Sequence, residues 1–240
     1  MKKLKIGIIG VGRLGYEHAC NIANRVPGSE LVAIAAANFD RAKQVAEELG
    51  VTAVYNDPKD LCADPNVEAV AIITNTASHV EMIKIAMDAG KHVFCEKPLA
   101  DTVEKCKEAE AIIAAHPELT FMLGFMRRYD HSYQVAKKKM ENGDIGDVIL
   151  VRCYSQDPIS IIEGTLEYAP RSGGQFIDMS IHDFDLIRWL TGSEVKELWA
   201  TGGCYEFKQY KDWDDGDNVS GLMKMENDAM AFFFAGRAAA

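Results

Sequence analysis

Asp178, His182 and Asp185 stand at i, i+4 and i+7, so one helix through them sets two carboxylates around an imidazole on a single face. Ile177, Ile181 and Phe184 mark an adjoining apolar face. Imidazole titrates near neutrality. It can take the proton of a hydroxyl as hydride leaves the carbon, while a neighbouring carboxylate orients the ring and stabilises the imidazolium. Two other readings fit the spacing: a solvent-facing charged stripe, and a metal site with His182 and an acid as ligands. A lone histidine is a poor basis for the second, and no metal is expected. Glu96-Lys97-Pro98 brings a carboxylate, an ammonium and a proline of fixed φ together, either as chemistry or as a solvated surface pair. Arg127 and Arg128 suit substrate oxygens or pairing with surface acids. The acids between Lys211 and Asp217 miss the spacing of a calcium loop, so a hairpin-type turn at Asp215-Gly216 is expected there.

Gly10-Val11-Gly12-Arg13-Leu14-Gly15 is a G-x-G-x-x-G run between an apolar run and a stretch of helical spacing. Gly10 permits a tight turn, Gly12 lets the backbone approach a pyrophosphate, and Gly15 lets helix pack on strand. The N–H groups opening the helix attract the anion. The dinucleotide fingerprint carries an acid about twenty residues further on for the adenosine ribose, but Ala35-Ala36-Ala37-Asn38 offers none. A 2′-phosphate would not be repelled there and Arg41 could approach it, whereas Asn38 could bond a ribose hydroxyl. NAD and NADP both stay open. Thr74-Asn75-Thr76 ends another apolar run, and His79 opens the helical stretch behind it, where a helix-start role competes with ligand binding.

These residues need elements to position them. Apolar runs at 4–9, 31–36, 53–55, 69–73, 92–95 and 120–124 read as strands covered on both faces. They alternate with helical spacing at 14–25, 40–49, 79–89 and 102–115. The order is that of βαβ units, which gives an α/β fold with an N-terminal doubly wound parallel sheet of the Rossmann type in residues 1–124. Residues 125–240 read as an α+β domain with a mixed or antiparallel open sheet: helices at 129–141 and 174–190, and strands at 148–155, 195–205, 219–225 and 229–235. The last strand lies close to the end of the sequence without an obvious partner, so the second domain is expected to be incomplete.

The chain has 240 residues, 48% apolar and 26% charged, which excludes disorder and coiled coil. With 26 basic against 36 acidic residues the net charge is −10, a sign that repels nucleic acid and anionic membranes. The six cysteines form no C-x-x-C pair and read as free thiols of a reducing compartment. Met1-Lys2-Lys3 imitates a signal start, but the run behind it is interrupted by glycines and broken at Arg13. No apolar run reaches membrane-spanning length, and a cytoplasmic protein is expected.

Together, GVGRLG, TNTASH, FCEKPLA and SGGQFIDMSIHDFDLIRWL resemble the Gfo/Idh/MocA family of dinucleotide-dependent oxidoreductases over most of the chain. GFMRRYD and CYSQDP are similar to its inositol dehydrogenases, the scyllo-inositol branch in particular. The resemblance implies oxidation of a secondary hydroxyl of a cyclitol or sugar to the ketone. Lys97 would bond the reacting hydroxyl, His182 accept the proton, and Asp178 hold substrate and imidazole. It implies NAD, with NADP open, held by Gly10, Gly12, Arg13, Leu14, Gly15 and Asn38. Thr74, Asn75, His79, Glu96 and Lys97 would line the nicotinamide side, with a cis Lys97-Pro98 bond. Arg127, Ser155, Asp157 and Asp185 would contact the cyclitol. A homo-oligomer, dimer or tetramer, is implied, as is a length greater than this chain's. Two rivals stand beside this reading: an NAD(P)-binding sensor without turnover, which has no need of lysine, aspartate and histidine together, and an NAD-dependent elimination or glycoside-cleaving enzyme that begins with the same hydride step.

Overall fold

The computed structural model describes residues 2–239, in two compact units that part between Gly124 and Phe125. In the first unit, strands β1 (Leu4–Ile9), β2 (Ser29–Ala35), β3 (Ala53–Tyr55), β4 (Ala69–Ile72), β5 (His92–Cys95) and β6 (Phe121–Leu123) pair in parallel in the order β3-β2-β1-β4-β5-β6. This is the doubly wound Rossmann arrangement. Its winding reverses between β1 and β4, and ligands bind beyond the strand carboxyl ends at such a reversal.

Five helices cover the sheet: α1 (Arg13–Asn24), α2 (Phe39–Leu49), α3 (Pro58–Ala63), α4 (His79–Asp88) and α5 (Val103–Ala114). Alternate strand residues feed two cores. Ile8, Ile34 and Ala71 meet Ala19 and Ile22 of α1 and Val45 of α2, while Ile9, Ala35, Ile72 and Cys95 meet Leu61 of α3 and Ile83 and Met87 of α4. Burial on both faces explains why most of these strands read as apolar runs, β4 most completely. Helix α3 escapes a periodicity search because six residues carry too little pattern; its local signals are the cap, Asp57 accepting the Lys59 N–H at 2.8 Å, and Pro58 in the first turn.

The second unit holds α6 (His131–Glu141), β7 (Leu150–Pro158), α7 (Ile162–Tyr168), α8 (Gln175–Asp178), α9 (Ile181–Thr191), β8 (Val195–Gly203), β9 (Asn218–Met225) and β10 (Met230–Ala239). Its sheet runs β7-β10-β9-β8, with β10 parallel to β7 and antiparallel to β9. Three expectations are corrected here. The last strand is not unpartnered: β10 is central, bonded on both sides. The helix expected across 174–190 is two helices, because the Ser180 N–H reaches back five residues to Gln175 O at 3.0 Å, which widens the turn before α9 starts afresh. Asp178 therefore does not share one helical face with His182 and Asp185. Nor is Asp215-Gly216 a tight hairpin turn. Residues 204–217 form a long connection with a 3-10 turn at Lys208–Trp213, and the buried Asp217 carboxylate accepts the N–H groups of Tyr205, Glu206 and Phe207 at 2.6–3.0 Å. Among the described residues no helix is long and apolar enough to cross a membrane.

Candidate functional site

The glycine run joins β1 to α1. A Cβ on Gly10, whose φ is +93°, would lie 2.4 Å from Ile73 O, and one on Gly15 would lie 2.1 Å from Gly10 O, so both must lack a side chain for the backbone to close. Gly12 differs: a Cβ there would meet nothing within 4 Å. Gly12 caps α1 without a side-chain hydrogen bond, and the first turn, opened by Arg13 and Leu14, holds no acid. Helix-start N–H groups without a side-chain acceptor, behind a residue too small to block approach, fit a dinucleotide pyrophosphate. At the end of β2, Asn38 is the α2 cap; its side-chain oxygen accepts the Arg41 N–H at 3.0 Å. The Arg41 guanidinium lies 5.0 Å from the Tyr16 ring centroid and donates to Gln44 at 2.9 Å.

At the carboxyl ends of β4 and β5 the loops are cross-tied. Ser78 Oγ donates to Thr74 Oγ1 at 2.8 Å and to Asn75 O at 2.9 Å, and Asn75 itself is exposed. His79 is buried. Its Nδ1 lies 2.8 Å from Pro98 O and its Nε2 3.3 Å from Thr74 O, and burial pushes its pKa down, which favours the neutral ring. A neutral imidazole carries one N–H, so His79 donates to one of these carbonyls, and its place links the Thr74 turn to the Lys97-Pro98 turn. Lys97-Pro98 is cis. Glu96 is anchored twice, by His18 Nε2 at 2.9 Å and by the Lys97 N–H at 3.1 Å. His18 was not among the expected residues; its only signal is its place one turn after Gly15 in α1.

In the second unit, α8 ends on Asp178 and His182 lies in the first turn of α9, its ring edge-on to Phe125 with centroids 6.3 Å apart. Asp178 accepts a hydrogen bond from Arg237 Nη2 at 3.2 Å, and Asp157, from β7, lies 3.9 Å from Arg237 Nη1. Arg127 donates to Asp183 at 2.5 Å and to Ser155 Oγ at 2.8 Å, and Ser155 donates to the same Asp183 oxygen at 2.7 Å. Asp185 takes a bidentate pair from Arg128 at 2.6 and 2.8 Å. Of the residues expected to contact a cyclitol, Arg127 and Ser155 are thus joined on Asp183, Asp185 is committed to Arg128, and Asp157 stands with Asp178 on Arg237. Sequence reasoning missed Asp183 and Arg237. The available signals were two adjacent arginines that need two acids, and a charge ending the apolar run AFFFAG.

A doubly wound sheet with an open glycine turn, followed by a mixed-sheet domain carrying an aspartate and histidine set, defines a two-domain dinucleotide-binding protein. The chain belongs to the Gfo/Idh/MocA family. Residues 4–125 match the model described as an oxidoreductase family with an NAD-binding Rossmann fold, and residues 133–240 match the GFO/IDH/MocA C-terminal domain. Over 230 residues the chain is 38% identical to the uncharacterized oxidoreductase YrbE of Bacillus subtilis, and over 234 residues 37% identical to the myo-inositol 2-dehydrogenase of Thermotoga maritima. These alignments take in 96% and 95% of this chain but 66% of either relative, so the chain spans just under two thirds of their length. Among solved structures it is similar to the scyllo-inositol dehydrogenase of Lactobacillus casei with bound NAD(H) and scyllo-inositol, with a TM-score of 0.94 and 40% identity over 100% of this chain and 71% of that one.

Proposed function

We propose that the chain acts as an NAD-dependent dehydrogenase that oxidises one secondary hydroxyl of a cyclitol, scyllo- or myo-inositol, to the ketone. The observation that carries this reading is its likeness, along its whole length, to a dehydrogenase with bound NAD(H) and scyllo-inositol. The open Gly12 turn and the α1 N-terminus would hold the pyrophosphate, and Asn38 the adenosine ribose. Bound NAD supplies the nicotinamide carbon that accepts hydride. The chain's own residues handle the proton and the geometry. Lys97 donates to the reacting oxygen and favours its negative character, and His182 takes the hydroxyl proton as the C–H pair departs and C=O forms. Asp178, steadied by Arg237, orients the imidazole and stabilises its charged form. Asp157 accepts from a neighbouring hydroxyl, while the Arg127–Ser155–Asp183 and Arg128–Asp185 sets shape the wall of the substrate pocket.

The test is reduction of NAD or NADP, followed by absorbance, against a panel of inositols and aldoses. One cyclitol should give net reduced cofactor, and His182→Ala or Lys97→Ala should each lower kcat by about 10²–10⁴-fold. Dinucleotide binding without turnover on any polyol would overturn the reading in favour of a sensor; turnover with no net reduction would favour elimination chemistry.

We further propose that the chain works as a homo-oligomer in the cytoplasm. An exposed apolar face of the β7–β10 sheet supports the first part, and six free cysteines the second.

A further inference from the structure

Arg237 is 1% exposed although it carries a permanent charge. It follows the inward-facing positions Ala231, Phe233 and Ala235 of β10, where the pairing with β7 turns irregular after Gly236, and its side chain is enclosed. A buried guanidinium persists only where carboxylates compensate it, and here two do: Asp178 from α8 and Asp157 from β7. The Tyr210 ring, itself fully buried, lies 5.6 Å from the guanidinium. The burial is lopsided. The cation is enclosed, while the Asp178 and Asp157 side chains are 20% and 31% exposed. The guanidinium thus donates to Asp178 at 3.2 Å and faces Asp157 at 3.9 Å from the enclosed side of both acids.

We propose that Arg237 is a positioning residue that holds Asp178 and Asp157 in one rigid frame, so that hydroxyl recognition at Asp157 and orientation of His182 by Asp178 depend on a single buried cation. The proposal rests on the dehydrogenase reading for the roles of those acids. Lysine cannot replace arginine here, because a single ammonium lacks the planar fork that faces two carboxylates at once.

The experiment compares Arg237→Lys and Asp157→Asn with the unaltered full chain. Arg237→Lys keeps the charge and should lower kcat and raise KM together, by about 10–100-fold in kcat/KM, with the dinucleotide Kd unchanged. Asp157→Asn should also lower kcat as well as raise KM, because one arm of the frame goes slack. If Arg237→Lys lowers only the melting temperature, and kcat and KM measured well below that melt match the unaltered chain, the residue is merely structural and the proposal is overturned. Should Arg237→Lys fail to fold, Asp157→Asn decides: an unchanged kcat at saturation overturns the shared frame. Absence of turnover in the unaltered chain would defeat the dehydrogenase reading instead. The frame is then read from the NMR resonances of the His182 ring, which should shift in both variants; unshifted resonances would overturn it.

Discussion

Gly12 and Gly15 are the same residue in one motif, yet their surroundings assign them different tasks. A methyl on Gly15 collides with the Gly10 carbonyl at 2.1 Å, backbone against backbone, so the strand and helix must separate. Gly15→Ala should lower stability by about 1–3 kcal/mol and weaken dinucleotide binding as a consequence. A methyl on Gly12 meets no protein atom within 4 Å and its φ of −65° suits any residue, so Gly12→Ala should melt like the unaltered chain while losing dinucleotide affinity. Thermal melts beside a fluorescence titration with NAD separate the two outcomes, and a lowered melt for Gly12→Ala would sink the assignment. His79 adds a pH dependence. Burial lowers its folded pKa, so the unfolded chain takes up the proton first. The stability that depends on the neutral ring is fully present above about pH 6.5 and is lost as pH falls from there through the folded value. Melts recorded from pH 7 to 5 should show that loss, and His79→Gln should flatten it while lowering stability at pH 7.

At the scale of elements, one carboxylate organises the connection from β8 to β9. Burial pushes the Asp217 pKa up, but the N–H groups of Tyr205, Phe207 and Glu206 and the Asn218 amide outweigh that and hold it below its ordinary value. Its contribution is therefore present above about pH 4 and lost as acid protonates it through the lowered value. Asp217→Asn should cost about 1.5–3 kcal/mol at neutral pH and shrink the loss of stability on acidification below pH 4; denaturant melts across that range measure both, and an unchanged acid limb would discredit the assignment. This connection was legible only as a turn, because spacing cannot reveal that a single side chain collects three backbone donors. The first-unit strands were plain, since their largely two-sided burial leaves mostly apolar residues between the helical stretches. The break at Met179-Ser180 was not, because Ile177, Ile181 and Phe184 keep helical spacing straight through it. Among the site residues, the glycine run and the aspartate and histidine set announced themselves by type. The partners His18 on Glu96, Asp183 on Arg127 and Ser155, and Arg237 on Asp178 are chosen by contacts between distant segments that no local pattern records.

For the whole molecule, the second-unit sheet raises a question of cover. One face packs Val151, Phe233 and Met223 against Leu186 and Ile187 of α9. The other aligns Trp199 with Leu222 and Leu222 with Phe232 across neighbouring strands, and Phe232 packs on Tyr154 with ring centroids 5.5 Å apart. Trp199, Leu222, Tyr154 and Met230 are each more than half exposed, a contiguous apolar surface that a monomer rarely leaves in water. A second copy, related by a two-fold axis, can cover such a face with its own. Net charge works against that pairing, because two chains of −10 repel until salt screens them; the screening length is about 8 Å at 0.15 M ionic strength. Association driven by apolar burial and opposed by like charge should strengthen as salt rises, the reverse of an interface held by ion pairs. Analytical ultracentrifugation should therefore find the chain in multiple copies at 0.15 M salt and above, with a larger monomer fraction at low salt. Trp199→Glu combined with Leu222→Glu should give monomers under all these conditions and, because neither residue belongs to the core under α9, should leave the fold intact. A monomer at high salt in the unaltered chain would rule out this face as the meeting surface of copies, and multiple copies that persist in the double variant would move the interface elsewhere.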